Sequence, residues 1–482
     1  MRVALALGLA ASVLLAGGVA AARPTDVGGG DLYKYAAGDT VEHYDTTRFR
    51  IFFTRSGTNA IPAGPVDGNN VPTYVVAVGQ LYEDVLDFYL GRGFVQPLSD
   101  AAVANNGGDG RFDVYLLDFG GKADGAFVRE QCSGGTCEGY MAQENDFVGY
   151  AYPSATVGNR VLASHEFFHA VQAAYSADQD SVVAEGTAVW AEVQFDAGNA
   201  FDLEGFVGGY LSMADHSVDR PGTGPVPAFS YGMSLFFEFL SEKVTPDLIR
   251  ILWEDLKPGA RGVAQQTWLP ALVALLPREY SVTFADTFVI FATWNLFTKN
   301  RSDSKRAYAD GDNYPSITTQ NGTLPYEDDA LRVFYASQQV LSFDPAGRGQ
   351  LSVAVLPAAG LGPDSLAPLR VVIAPVTTGN IGTVSTRPAS DDTTAVGIGD
   401  ANQILVSIVN TDTSGDSTRG ILCIGTPDEV TACKTKNAAT PDMGTTPSMD
   451  GGGCAIAPAP SAAPWWALAF VLAFVLRRRV AR

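Results

Sequence analysis

The chain has 482 residues, of which 46% are apolar and 17% are charged, values typical of a globular protein with two or three domains. Its 32 basic and 52 acidic residues give a net charge of −20. This charge excludes a broad basic surface of the kind that binds nucleic acid or anionic membranes, and it favours solubility.

The N-terminus has the pattern of a secretory signal peptide. Arg2 precedes an apolar stretch over residues 3–19, and three alanines at 20–22 come before Arg23. The apolar stretch is too short for a membrane-spanning helix and has the wrong flanks. The sequence therefore predicts a signal peptide over residues 1–22, cleavage before Arg23 and an exported protein.

The five cysteines fit an oxidising compartment. Cys132 and Cys137 lie five residues apart in a Gly-rich loop, and Cys423 and Cys433 lie ten apart in a β-like region. Both spacings predict local disulfides, and neither is that of a metal finger with a second pair. Cys454 is left over.

The first elements alternate between strand and helix patterns. Residues 48–54 and 112–118 have β-type alternation, residues 73–91 have a helical rhythm, and residues 147–152 predict a short strand. If this short strand lies at the rim of the sheet, a substrate peptide can add to it as a further strand. An ordinary internal strand is the alternative.

A helix over residues 161–172 carries the sequence H-E-x-x-H. Residues four apart share a helix face, so His165 and His169 can offer two imidazole nitrogens to one metal ion. Glu166 adjoins the first ligand and can take a proton from water. Two surface histidines are the alternative, but the chain has only four histidines and two of them fall here. The pattern predicts a zinc site.

A second helix follows within about ten residues and carries Glu185 and Glu192. These two are seven residues apart, which separates them by ~10.5 Å along a helix, so one metal cannot take both. A catalytic zinc uses three protein ligands and keeps one position open for water. The spacing predicts that one carboxylate of this helix is the third ligand.

H-E-x-x-H followed by a Glu-Gly-x-Ala helix resembles the gluzincin metallopeptidases, the group that contains thermolysin and the alanyl aminopeptidases. The resemblance implies that Glu185 is the third zinc ligand and that Glu192 is a supporting acidic residue. The gap between His169 and Glu185 is a few residues shorter than in those families, so Glu192 stays an alternative ligand. The metzincin pattern fails because Gln172 and Tyr175 stand where it needs Gly and His.

Residues 200–300 are predicted to be mostly helical. Apolar faces recur over 201–213, 230–242, 246–256, 263–276 and 284–297. Tyr231 stands shortly before a Gly at the start of one of these helices, which resembles the aminopeptidase tyrosine that stabilises the oxyanion. Tyr231 can instead be a packing residue, and His216 is another candidate for the same role.

Beyond residue 328 the pattern changes to short strands. Alternation over 333–342, 350–356, 369–376 and 404–410 predicts a β-sandwich over residues 329–437, with the Cys423–Cys433 disulfide at its end. We expect a spacer, with binding of carbohydrate or a substrate protein as the alternative. A Pro-, Thr- and Gly-rich linker over 438–453 follows.

The C-terminal residues 454–482 contain a Cys, an apolar segment that begins at Trp465, and an Arg cluster at 477–479. Trp at one end and Arg at the other suit a membrane crossing with the positive end inside. The combination resembles the MYXO-CTERM sorting tail of myxobacterial surface proteins, which implies anchoring at the cell surface. A simple membrane stop sequence is the alternative.

Together these features predict an α+β fold: a zincin-like catalytic domain with a small mixed sheet and a zinc helix over 23–199, a helical subdomain over 200–328, and the β-sandwich. The predicted function is a surface-anchored zinc endopeptidase that cleaves proteins or peptides. A zinc aminopeptidase and a non-catalytic adhesion protein with a vestigial zinc site are the alternatives. The sequence does not indicate an oligomeric state.

Overall fold

The computed structural model describes residues 23–26, 34–199, 201–220, 227–391 and 395–438. They form a mixed α+β structure in one compact unit that ends at Ala438. The predicted signal peptide, the tail and all but the first residue of the linker lie outside the described residues. Within the described ranges, no helix has both the length and the apolar character needed to cross a bilayer.

The N-terminal part is built on a five-stranded mixed sheet. Its strands are β1 (Val41–Asp45), β2 (Phe49–Thr54), β3 (Phe112–Leu117), β4 (Gly125–Ser133) and β5 (Thr136–Glu144). The strand order is β1-β2-β3-β5-β4, and β2, β3 and β5 run parallel to one another. Strands β1 and β4 are antiparallel to their neighbours. Strand β4 therefore forms one edge of the sheet.

Two helices, α1 (Thr73–Gly91) and α2 (Ala155–Tyr175), cover one face of this sheet. Alternate strand residues such as Val114 and Leu116 point into the same core as Phe167 of α2. The neighbouring residues, such as Tyr115 on β3, pack in a smaller core on the opposite face. This alternation is the two-residue period of a strand buried on both sides.

The prediction that residues 147–152 form a strand is wrong. Phe147 and Gly149 have φ angles of 58° and 90°, the left-handed conformation of a turn. The Asp146 carboxylate accepts a hydrogen bond from the Val148 N–H at 2.7 Å, which stabilises that turn. The edge strand beside α2 is β4 instead.

Both predicted disulfides are present. Cys132 and Cys137 join β4 to β5 at the end of a hairpin, where a loop was expected, and Cys423 joins Cys433 near the C-terminal end of the described chain. The hairpin turn contains Gly134 with a φ of 62°. Glycine adopts this conformation without steric cost, which explains the Gly-rich sequence.

A helical region follows α2. It consists of α3 (Ser181–Phe195), α4 (Phe201–Leu211), α5 (Ala228–Gly232), α6 (Ser234–Lys243), α7 (Asp247–Asp255), α8 (Trp268–Tyr280) and α9 (Phe284–Trp294). The single helix predicted over 230–242 is divided into α5 and α6 at Met233, whose ψ of −9° tightens the turn. Helix α8 begins at Trp268 rather than residue 263, because a turn with Gly262 at a φ of 77° precedes it.

The C-terminal part contains two sheets. Their strands are β6 (Gln320–Gly322), β7 (Tyr326–Phe334), β8 (Ser337–Phe343), β9 (Gln350–Pro357), β10 (Leu369–Thr377), β11 (Asn380–Ile381), β12 (Ser385–Pro388), β13 (Val396–Gly397), β14 (Gln403–Asn410) and β15 (Ser417–Gly425). One sheet has the order β11-β10-β14-β8-β6 with β12 beside β10, and the other has the order β13-β9-β15-β7. The strand predicted over 333–342 is two strands, because Ala336 turns the chain with a φ of 42°.

These two sheets enclose one hydrophobic core, to which β10 contributes Val371 and Ile373. The alternate residues Val372 and Ala374 belong to the large core of the helical region. The sheet that contains β10 is thus buried on both faces. The expectation of no helix here is wrong: α10 (Pro427–Ala438) follows β15, and the disulfide to Cys433 fixes it.

Candidate metal centre

Helix α2 is held by packing on almost every side. Ser154 caps its start by accepting the Val157 N–H at 3.2 Å. The ring of Phe167 packs edge-on against Phe49 and Phe112 of the sheet, at centroid distances of 5.2 and 5.0 Å. These contacts fix the rotation of the helix, so the face that carries His165 and His169 turns toward α3.

Helix α3 packs closely against α2 and α6. Gly186 makes this approach possible, because a Cβ atom there would lie 2.7 Å from the Phe237 ring. Gln172 of α2 donates to the Ala184 carbonyl at 2.8 Å and to the Thr187 hydroxyl at 3.0 Å. These bonds on either side of Glu185 place that carboxylate opposite the two histidines.

The structure brings His165, His169 and Glu185 together. Oε2 of Glu185 lies 3.3 Å from Nε2 of His165 and 3.4 Å from Nε2 of His169. One ligand atom from each residue lies within 4.8 Å of the other two. Tetrahedral bonds of about 2.0–2.2 Å would place neighbouring ligand atoms about 3.3–3.6 Å apart, so this spacing suits one metal ion.

The second nitrogen of each imidazole already has a partner. Nδ1 of His165 lies 2.5 Å from Oε1 of Glu192, and Nδ1 of His169 lies 2.8 Å from Oε1 of Gln172. Both partners are acceptors, so each Nδ1 carries a proton and donates it. In the neutral imidazoles the Nε2 lone pairs therefore face the Glu185 carboxylate, an arrangement that a cation between them stabilises.

The polar atoms of this group are buried. The side chains of His165, His169 and Glu185 are 6%, 12% and 3% exposed. His169 Nε2 and the second oxygen of Glu192 have no hydrogen-bond partner among the described residues. A buried unpaired polar atom costs about 1–3 kcal/mol, and binding a metal ion at His169 Nε2 would remove that cost.

The electrostatics of the group favour positive charge. Burial would lower the pKa of both histidines, but the nearby carboxylates outweigh it and raise both pKa values. Burial would raise the pKa of Glu185, but His169 and His165 reverse this effect and lower it. Burial raises the pKa of Glu192 to about 7, although its bond to His165 opposes the shift.

A second group of potential ligands shares His165. The atoms of His165, Glu192 and Asp202 also lie within 4.8 Å of one another. A metal ion there would have to break the 2.5 Å bond between His165 Nδ1 and Glu192. Burial raises the pKa of Asp202 well above its usual range, which favours the protonated acid over a metal ligand. The group with Glu185 is therefore the better site.

Glu166 lies beside the group formed by His165, His169 and Glu185. Its side chain is buried, and its Oε2 accepts the Phe127 N–H of edge strand β4 at 3.1 Å. Burial raises the pKa of Glu166, while His169 and His165 oppose the shift. Glu166, His169 and Glu185 line a cleft of about 50 Å³ together with Phe127 and Arg129.

Tyr231 is next to this group as well. Its ring is buried, lies 6.1 Å from the His165 ring and stacks on Phe206 at 4.8 Å. His216, the other candidate for the same role, is exposed and contacts the Phe229 ring at 6.1 Å. His43 is also exposed, on β1.

Sequence reasoning missed two contributors. Gln172 is notable in the sequence only because it does not match the metzincin motif. Its spacing of three from His169 nevertheless places both residues on one helix face. The N–H of Phe127 is a backbone group, and nothing in the sequence marks it. Glu192 was identified, but its bond to His165 Nδ1 depends on how α2 and α3 pack.

No protein-family model matches this chain, and no curated protein matches it. Among solved structures, the chain is similar to the pre-peptidase C-terminal domain of a collagenase from Bacillus anthracis, at 12% sequence identity and a TM-score of 0.15. The similarity covers 22% of this chain and 93% of that domain. At this TM-score the likeness carries no conclusion about fold or function.

Proposed function

We propose that the chain is a zinc-dependent endopeptidase with a zincin-like, gluzincin-type catalytic core. His165, His169 and Glu185 would hold Zn²⁺, and Glu166 would be the general base. The main support is that Oε2 of Glu185 lies 3.3 and 3.4 Å from the Nε2 atoms of His165 and His169, and that Glu166 is buried alongside them. Zinc in such a site polarises a carbonyl and lowers the pKa of water to ≈ 7.

Glu166 is suited to move a proton. The hydrogen bond from the Phe127 N–H fixes one carboxylate oxygen, so the side chain has a defined orientation toward the cleft. Glu166 would accept the proton of the attacking water and pass it to the leaving amine. Tyr231, beside His165, is the candidate that stabilises the developing oxyanion. Glu192 and Gln172 would hold the imidazoles in the correct tautomer and orientation.

The free edge of strand β4 favours a peptide as the substrate. It has no neighbour on its outer side in the sheet, and Phe127 and Arg129 of this strand line the cleft. An extended peptide could pair with this edge and thereby lie across the metal-ligand group. Strand β4 would thus provide the peptide-binding edge that the sequence predicts at residues 147–152.

The cleft favours an endopeptidase over an aminopeptidase. An aminopeptidase needs an acidic side chain to hold the free amine of its substrate. Among the described residues that line the cleft, the only acids are Glu166 and Glu185, and both already have roles, while Arg129 adds a positive charge. An adhesion protein with a vestigial site is the less favoured alternative, because a structural metal site gains nothing from Glu166.

We further propose that the enzyme is exported by the signal peptide over 1–22 and anchored at the cell surface by the tail over 454–482, as the resemblance to the MYXO-CTERM tail implies. The two disulfides suit an oxidising compartment outside the cytosol. The C-terminal sheets would serve as a spacer that precedes the tail along the chain.

The proposal is tested by metal reconstitution. The protein is stripped with a chelator, dialysed, and supplied with Zn²⁺ or Mg²⁺ before incubation with two sets of internally quenched peptides, one blocked at both ends and one with a free N-terminus. We expect zinc to restore cleavage of blocked peptides and magnesium to leave the protein inactive. Cleavage only of peptides with a free N-terminus would support the aminopeptidase, and no cleavage with zinc bound would support the adhesion protein.

A further inference from the structure

Arg23 occupies a pocket on the sheet face opposite α2. Its side chain is 2% exposed, and the pocket is formed by Asp100, Asp113 on β3 and Glu130 on β4, which are 2%, 1% and 3% exposed. A buried charge is strongly unfavourable unless it is paired and fully hydrogen-bonded. The Arg23 guanidinium meets both conditions.

Every N–H of the Arg23 guanidinium has an acceptor. Nε and Nη2 donate to the two oxygens of Glu130 at 2.8 and 2.6 Å, and Nη2 also donates to Asp100 at 2.5 Å. Nη1 donates to Asp113 and, at 3.4 Å, to the Tyr115 hydroxyl. Arginine has five N–H donors in a planar fork, and this pocket accepts all five.

Local backbone features shape the pocket for this side chain. The pairing of β4 with β5 shifts register between Arg129 and Gln131, so Glu130 sits at a β-bulge, which re-aims its side chain. Gly107 closes another side with a φ of 74°, and a Cβ atom there would lie 2.8 Å from Arg23 Nη1. The pocket therefore fits a guanidinium closely.

Arg23 is also the residue before which the sequence predicts signal-peptide cleavage. Its backbone N–H donates to the Asp26 carboxylate at 2.9 Å, and its carbonyl accepts the Asp26 N–H at 2.9 Å. Hydrolysis of the Ala22–Arg23 amide bond by a signal peptidase adds one water, leaving a carboxylate on Ala22 and an α-ammonium on Arg23. That ammonium would bond more strongly to Asp26 than the amide N–H does.

We propose that the pocket of Asp100, Asp113 and Glu130 is a binding site for the N-terminal arginine of the mature chain. Arg23 becomes the first residue after export, and its side chain locks edge strand β4 in place. The link to the candidate metal centre runs along β4, because Glu130 lies on that strand three residues after Phe127, whose N–H bonds to Glu166. Without Arg23, the three acids of the pocket are buried without the cation that pairs with them, which destabilises the part of the sheet around Glu130.

The test combines N-terminal sequencing with chemical rescue in the full exported protein. Arg23→Ala removes the guanidinium, and added N-ethylguanidinium replaces the missing atoms. Hydrogen exchange of the β4 amides and the thermal unfolding midpoint are measured. Because breaking a buried ion pair is strongly destabilising, we expect exchange in β4 to rise by about 100-fold or more and the midpoint to fall. N-ethylguanidinium should reverse both effects saturably, whereas ethylammonium should not.

Controls separate this site from a general effect of charge. Arg55→Ala removes an exposed arginine that pairs with Glu42 on the same sheet, and it should leave β4 exchange within about twofold of the original protein. If Arg23→Ala does not fold, Arg23→Lys is used in its place. Hydrogen exchange of the β4 amides in Arg23→Lys that is faster than in the original protein, but slower than in an unfolded chain, supports the proposal. Exchange unchanged in Arg23→Lys, equal rescue by ethylammonium, or a mature chain that begins at another residue would each overturn it.

Discussion

The roles of the two acids on α3 can be separated by isosteric substitution. Glu185 faces both imidazole Nε2 atoms at 3.3 and 3.4 Å, whereas Glu192 reaches the site only through Nδ1 of His165 at 2.5 Å. Loss of a residue that orients a ligand typically lowers metal affinity about 10–100-fold, which is about 1.4–2.8 kcal/mol. Glu192→Gln should fall in that range. Glu185→Gln replaces an anionic ligand with a neutral amide and should exceed it.

The assay is a zinc titration against a competing fluorescent chelator at fixed neutral pH, with thermal unfolding to show that each variant is folded. Glu238→Gln is the matched control, because Glu238 is a largely buried acid on α6, outside both groups of potential ligands. Its zinc affinity should equal that of the original protein. Equal weakening of zinc binding by Glu192→Gln and Glu185→Gln would contradict these separate roles, and so would a zinc affinity of Glu185→Gln within about tenfold of the original.

Three further predictions concern stability. Burial raises the pKa of Glu238 to about 7, so the folded state favours the protonated acid. The free energy of unfolding therefore falls as pH rises from about 4.5 to 7. Glu238→Gln should remove up to about 3 kcal/mol of this pH dependence, measured by urea unfolding at several pH values. Phe167→Ala should lower the free energy of unfolding by about 3–5 kcal/mol in the same assay, because Phe167 is buried and its ring contacts those of Phe49, Tyr82 and Phe112. Replacing Cys132 and Cys137 by Ser should cost about 2 kcal/mol, the value expected for a short closed loop, measured by thermal unfolding without reductant.

Each of these three stability predictions has an outcome that would contradict it. An unchanged pH dependence in Glu238→Gln would mean that this acid is solvated in the folded protein. A loss below about 1 kcal/mol in Phe167→Ala would mean that the core between α2 and the sheet is loosely packed. A double serine variant as stable as the original protein would mean that the hairpin is already fixed by its strand pairing.

Much of the site could be predicted from sequence because it depends on local spacing. The placement of His165 and His169 on one face follows from helix geometry, and the structure does bring them together. The choice of Glu185 over Glu192 as third ligand follows from a resemblance and stays a prediction; in the structure Oε2 of Glu185 lies 3.3 and 3.4 Å from the two imidazole Nε2 atoms. The bond between Glu192 and His165 depends on the packing of two helices, which no local pattern encodes.

The predictions about the fold that are wrong also failed because the structure depends on backbone conformation and tertiary contacts that local patterns do not encode. Residues 147–152 are aromatic and β-branched enough to suggest a strand, but the left-handed backbone at Phe147 makes a turn. Helix α10 has little apolar periodicity, and a disulfide holds it to β15. The second buried face of β10 is a tertiary contact that strand alternation alone does not reveal.

We propose that Glu166 acts on water at a zinc ion held by His165, His169 and Glu185. The most direct measurement is zinc content together with cleavage of a blocked peptide by Glu166→Gln, a change that keeps the shape of the side chain. We predict that this variant retains zinc at the same stoichiometry as the original protein and loses nearly all cleavage. Cleavage at the original rate with zinc bound would contradict the claim.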